Sequence, residues 1–308
     1  MKKLIYTTLL GIILCLTIVT PAIAQNTQAQ DAAKEEQAAY DAQNKRTHRT
    51  IFLIIIVCSS MTAIVFFIKN KSTVLSILSL FTGGFRTKGD ITTLESKKIL
   101  TGAMYALQQG AYLNTLNASI GDKLYTILSE WWGINDRDSA IDTLNYLRDK
   151  GYNYYFPTVY KAFSATSDHE LKEIILAKMT TQEDAEKAYS QAYNLLESVD
   201  LLKELNTIER TEEIEKYGVV GWDAGRLIFI ARLCYDAQYI EEEEAWTYID
   251  VAYAQAQRAF KSWEELAKSY VIGRFIWRGK DADDGMQLLA NDLINKNKSP
   301  WKQVEWRS

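Results

Sequence analysis

The sequence predicts an all-α protein: a multi-helix globular bundle preceded by a signal peptide and one transmembrane helix. Three observations carry this expectation. Only three prolines occur in 308 residues, and only Pro157 and Pro300 fall in the long C-terminal region. Apolar residues in that region recur at spacings of three and four, the period of a helix face. Two apolar runs, Leu4 to Val19 and Ile51 to Ile68, come before it.

Residues 1–24 read as the signal peptide. Lys2 and Lys3 precede the first run, and Pro21-Ala22-Ile23-Ala24 supplies the small residues of a cleavage site, so removal after Ala24 is expected. Cys15 follows the bulky Leu14, which disfavours a lipoprotein site. Residues 25–50 are rich in Gln, Ala and mixed charge, too poor in large apolar side chains to bury a core, and read as a short external polar segment.

Residues 51–69 are the predicted span. Ile51 to Ile68 holds 18 residues without a charge, bounded by Lys45, Arg46 and Arg49 before it and Lys69 and Lys71 after it. As a helix the run rises about 27 Å, close to the hydrocarbon thickness of a bilayer. A first segment crossing outward and a second crossing back place the C-terminal region in the cytoplasm, on a single-pass protein of the bacterial inner membrane. Cys58 and Cys234 then remain, one in the span and one in the domain, which offers no intradomain disulfide and suits a reducing compartment. In residues 70–90, Ser72 to Phe81 reads as an interfacial helix, and Thr82-Gly83-Gly84 with Lys88-Gly89-Asp90 as a linker.

Residues 91–308 form the expected all-helical domain. Asn135 or Asp136 is placed to cap a helix running through Leu147 and stopping at Gly151, a residue suited to the left-handed position after a helix end. Ala188, Ala192, Leu195, Val199 and Leu202 recur in a 4-3-4-3 pattern, the seam of a helix packed on a neighbour. Three more helices follow from Gly221 to Trp277. The first carries Asp223 in its opening turn and buries Leu227, Ile230, Ala231 and Cys234. The second opens on Glu241 to Glu244. The third opens on Ser262-Trp263-Glu264-Glu265, read as a capping box.

That third helix places Trp263, Leu266, Ala267, Tyr270, Arg274 and Trp277 on one stripe, so a guanidinium lies among apolar groups. A buried charge requires a partner, and Asp223 is the expected one, shared with Arg226 one turn further on. Gly273 permits close helix approach. Two readings follow. In one, Asp223, Arg226 and Arg274 form an ion network that fixes how the helices cross. In the other, Trp222, Asp223, Arg226, Trp263, Tyr270, Arg274 and Trp277 line a site for an anionic small ligand.

The segments GWDAGR, EEEEAW, SWEELAKSYVIGRFIW and SPWKQVEW together resemble the bacterial domain family of unknown function 1266, most clearly from Tyr217 to Trp306 and more weakly back to Trp132-Gly133-Ile134. The resemblance implies a compact helical domain and brings no catalytic residue.

Composition narrows the chemistry. With 35 basic and 39 acidic residues and no basic cluster away from the membrane flanks, nucleic acid is not an expected partner. His48 and His169 sit in no metal-binding spacing, so no metal is expected, and His169 reads as a solvated residue at a helix start. No G-x-S-x-G, Walker A or G-x-G-x-x-G motif occurs, and no cofactor is expected. The leading expectation is a membrane-tethered cytoplasmic module that binds a protein partner or an anionic small ligand. The alternatives are an enzyme without a standard motif, using Asp223 with Arg226 and Arg274, and a structural part of an envelope assembly.

Overall fold

The computed structural model of the protein describes residues 84–282 and 285–307. The expected signal peptide, external segment and span at 51–69, with most of the 70–90 segment, lie outside those residues. Among the described residues no helix is long and apolar enough to cross a membrane, and regular structure is helical throughout.

The chain enters through residues 84–90, which are tied down at their end. The Leu113 amide donates to the Arg86 carbonyl at 2.8 Å, and Asn114 exchanges bonds with the Lys88 backbone at 2.9 and 2.8 Å. Helices α1 (Leu94–Leu100) and α2 (Ala103–Gln109) follow, then a loop and the π-helical turn Thr126–Trp131. Next come α3 (Arg137–Asp149), α4 (Phe156–Phe163), α5 (Asp168–Leu176) and the long α6 (Gln182–Glu204). The second half holds α7 (Glu213–Tyr217), α8 (Val220–Asp236), α9 (Glu242–Ala259), α10 (Trp263–Arg278), α11 (Met286–Asn295) and α12 (Pro300–Gln303).

Local chemistry sets the boundaries. Asp136 caps α3, accepting from Ser139 while the Ser139 hydroxyl reaches back to it. Gly151 follows the α3 end with φ +50°, as its position requires. Ser262 caps α10 by accepting from the Glu265 amide, but the Glu265 carboxylate takes the Lys261 amide rather than closing the expected box on Ser262. The seam on α6 is buried at Ala188, Ala192, Leu195 and Leu202, with Val199 half-buried, where it packs on α4 and α10.

Helix α8 is the axis of the domain. It packs most extensively on α9 and α10 and also meets α2 and α3. Every residue from Gly221 to Cys234 is buried, so the expected stripe of Leu227, Ile230, Ala231 and Cys234 is in fact a helix enclosed on all sides. Burial pushes the Cys234 thiol up to about 12, which removes its thiolate at neutral pH and fits its role as a small apolar filler.

Three glycines let α8 and α10 cross closely. A Cβ on Gly273 would lie 2.2 Å from the Trp222 Cβ, one on Gly225 2.7 Å from the Tyr270 ring, and one on Gly221 2.6 Å from the Leu266 carbonyl. The Ser269 hydroxyl bridges the same crossing, accepting from the Gly221 amide at 2.9 Å and donating to the Gly218 carbonyl at 3.0 Å. At the far end of α8, Arg232 is fully buried and pins the loop after α2 by donating to the carbonyls of Leu116 at 3.2 Å and Tyr112 at 2.6 Å. Burial lowers its pKa to about 10, opposed by nearby Asp236, so it keeps its charge at neutral pH.

Candidate functional site

The site forms where the start of α8 meets the loop after α3. Asp223 lies in the first turn of α8, where the helix dipole favours a carboxylate. Its acceptor capacity is filled by the Tyr152 amide at 2.8 and 3.0 Å, the Asn153 amide at 2.7 Å and the Arg226 guanidinium. Gly151 opens the space for this arrangement: a Cβ there would lie 2.6 Å from the Asp223 Oδ2. Burial pushes the Asp223 pKa up, while Arg226 and the two amides pull it back. All of these partners are donors, which is the set a carboxylate requires.

Arg226 is held as tightly. Its guanidinium carbon lies 4.6 Å from the Trp222 ring and 4.7 Å from the Tyr152 ring, with Trp132 at 5.9 Å. Asp223 and Arg226 are only 5 and 6% exposed, so the pair is a buried ion pair with three further bonds to backbone amides on its acid. Arg274, 9% exposed, enters from α10 and packs its guanidinium 4.6 Å from the Trp277 ring and 5.9 Å from Trp222. The pairing expected between Asp223 and Arg274 is therefore replaced: the Asp223 bonds go to its own helix and to the α3–α4 loop. A backbone loop with two amides aimed at one oxygen pair outcompetes a side chain from the next helix because its donors are already fixed.

Trp222 joins these groups, with its ring 5.0 Å from Tyr270, 6.1 Å from Trp277 and 6.4 Å from Tyr152. Its indole Nε1 is buried and has no hydrogen-bond partner among the described residues. Trp132 donates to the Tyr105 hydroxyl at 3.2 Å. Burial raises the Tyr105 pKa, and Trp132, Arg226 and Arg274 act against that rise, which places the phenol within the field of both guanidinium groups.

Six of the seven residues read from sequence thus converge: Trp222, Asp223, Arg226, Tyr270, Arg274 and Trp277. Trp263 does not. It starts α10, fourteen residues before Trp277, and that distance is about 21 Å along a helix. Trp263 instead stacks on Trp301 at 5.0 Å and meets Trp306 edge-on at 4.6 Å, donating from its indole to the Val304 carbonyl at 2.7 Å. Of the seven, only Trp277 is open to solvent, at 44% exposure.

Tyr152, Asn153, Trp132 and Tyr105 are site residues that sequence reasoning missed. Tyr152 and Asn153 act through backbone amides, which leave no side-chain signature. Trp132 and Tyr105 become neighbours of Arg226 only through tertiary packing. Gly151, read as a helix stop, was the one signal pointing at this loop. Elsewhere, His169 is a highly exposed residue in the first turn of α5, as expected. Among the described residues no three His, Cys, Asp or Glu side chains gather as a metal-ligand group.

These features define a helical domain clasped at its centre by a buried aspartate–arginine pair among aromatic rings. The chain belongs to the family described as protein of unknown function (DUF1266), whose pattern matches residues 127–306 and so takes in α3 to α12. It is similar to the uncharacterized protein YbeU of Escherichia coli (strain K12), 24% identical over 194 residues that cover 61% of this chain and 73% of that protein. It is also similar to the uncharacterized protein YbeR of the same organism, 25% identical over 169 residues, 55% of this chain and 64% of that protein. No solved structure matches.

Proposed function

We infer that the protein is a membrane-tethered cytoplasmic binding module, in which the Asp223–Arg226 clasp holds the helices together and binding takes place on the outer surface of the domain. The observation that carries this reading is the satisfaction of the clasp: Asp223 takes its bonds from Arg226, Tyr152 and Asn153 inside the fold, and both charges are almost fully buried. A group so engaged favours packing over turnover, because a catalytic carboxylate needs reach to a substrate. Tethering is supported by the uncharged run from Ile51 to Ile68, long enough as a helix to cross a bilayer.

A reporter active only in the cytoplasm, fused after Ser308, tests topology; the expected result is signal from the fusion, together with a chain that stays with membranes through alkaline carbonate washing. Signal from an export-dependent reporter, or release by carbonate, overturns the tethered arrangement. The role of the cluster is tested by Arg274→Met. Loss of folding supports packing, whereas a stable domain that loses binding to an anion such as inorganic phosphate assigns the cluster to a ligand.

A further inference from the structure

A second polar region lies away from the clasp, in a groove of about 300 Å³ between the loop after α6, the first turns of α10 and one face of α11. Its α11 wall carries Gln287, Asn291 and Asn295, spaced by four so that they form one stripe. Asn206 adds a fourth carboxamide from the loop. Small apolar side chains, Ala267, Ala290 and Ile294, complete the lining with Glu209, Glu264 and Lys268.

The first two amides of the stripe are held in place before any ligand arrives. Gln287 accepts from the buried Thr207 hydroxyl at 2.7 Å and donates to Asn291 at 3.1 Å. Lys268 pairs with Glu264 at 3.2 Å and lies 5.2 Å from the Tyr217 ring, so its ammonium is already engaged.

We propose that this groove binds a small uncharged sugar or cyclic polyol. A carboxamide both donates and accepts, as a hydroxyl does, so the four amide groups match a ligand rich in hydroxyls. Glu209 is a further acceptor, able to accept hydrogen bonds from two adjacent hydroxyls. Two carboxylates against one ammonium repel an anion, and the lining has no guanidinium to grip one. It also has no aromatic ring on which a planar ligand stacks. The alanines and Ile294 suit the C–H face of a saturated ring. The volume falls at the lower end of small-molecule pockets, about 300 Å³, which suits one ring rather than a chain of them. This proposal rests on the binding-module reading and gives that binding a place and a ligand class.

The test uses the full chain in micelles of a detergent without a sugar headgroup. Saturation-transfer NMR is recorded with N-acetyl-D-glucosamine and myo-inositol as probes, and with glucose 6-phosphate and putrescine as charged controls. The expected result is transfer to at least one neutral probe, exceeding that to either control, and weakened about fivefold or more by Asn291→Leu and by Asn295→Ala. Both positions are exposed, and unchanged helical circular dichroism confirms that each variant folds. No transfer to either neutral probe overturns the proposal, as does transfer that both variants leave intact, or preference for a charged control. Membrane attachment of the same sample is read separately by carbonate washing, so a failed groove and a failed tether give different results.

Discussion

The clasp around Asp223 and the groove along α11 are both built from polar side chains, yet they stand at opposite ends of solvent access. Asp223 and Arg226 have surrendered their water and recovered it as bonds to Tyr152, Asn153 and each other. Asn291 and Asn295 are exposed to solvent. Desolvation opposes the Coulomb attraction of a buried ion pair, so removing one partner is costly even where the pair itself adds little net stability. An open amide stripe carries no such penalty.

Replacing Asp223 by Ala should give the largest effect, because it leaves the Arg226 charge buried beside two unmade amide bonds. A loss of about 3–5 kcal/mol is expected in chemical denaturation. If Asp223→Ala costs no more than a surface change, the clasp is not what fixes the α3–α8 joint. Gly273→Ala comes next: the added methyl would meet the Trp222 Cβ at 2.2 Å, and spreading α8 from α10 should cost about 1–3 kcal/mol, with a shift in tryptophan fluorescence reporting the movement of Trp222. An unchanged emission spectrum would show that the crossing has slack the geometry does not suggest.

Asp184 is as buried as Asp223, but its cation Lys150 is a third exposed, and it sharpens the contrast through pH. Lys150 at 2.6 Å and the Tyr155 hydroxyl at 2.7 Å hold its pKa down at about 2, against an ordinary 3.8. Its contribution is therefore complete above about pH 4 and is lost as the pH falls toward 2, where the folded-state carboxylate also takes up a proton. Asp184→Asn should lower the melting temperature at neutral pH and make the remaining stability fall less steeply between about pH 4 and pH 2. Parallel acid profiles for the two proteins would count against the linkage. At the small end, Asn291→Ala should change stability by about 0.5 kcal/mol or less, as expected of an exposed side chain away from the core.

The glycine and tryptophan pattern from Gly221 to Trp277 shows how far sequence reading reaches. Its periodicity placed Arg274 on a buried stripe and Gly273 at a close approach, and both follow from the 3.6-residue turn. The same periodicity also misplaced Trp263, since residues on one stripe share a face without sharing a neighbourhood when they lie several turns apart. Arg232 escaped notice because its partners are the carbonyls of Tyr112 and Leu116, more than a hundred residues away in sequence. The enclosure of α8 on all sides was foreshadowed by its composition: between Val220 and Asp236 only Asp223, Arg226 and Arg232 interrupt small and apolar residues.

By itself the sequence determined the helical class, the family, the Ser262 cap of α10, and the pairing of Asp223 with Arg226, because each depends on residues within a few turns of one another or on a long shared pattern. Tertiary structure alone decided that Asp223 would face the amides of Tyr152 and Asn153 instead of Arg274, that Trp263 would leave the site, and that the carboxamides of α11 would meet Asn206 across a groove. Those outcomes depend on which helix lies beside which. Local propensity does not encode that choice; it emerges when whole faces compete for burial.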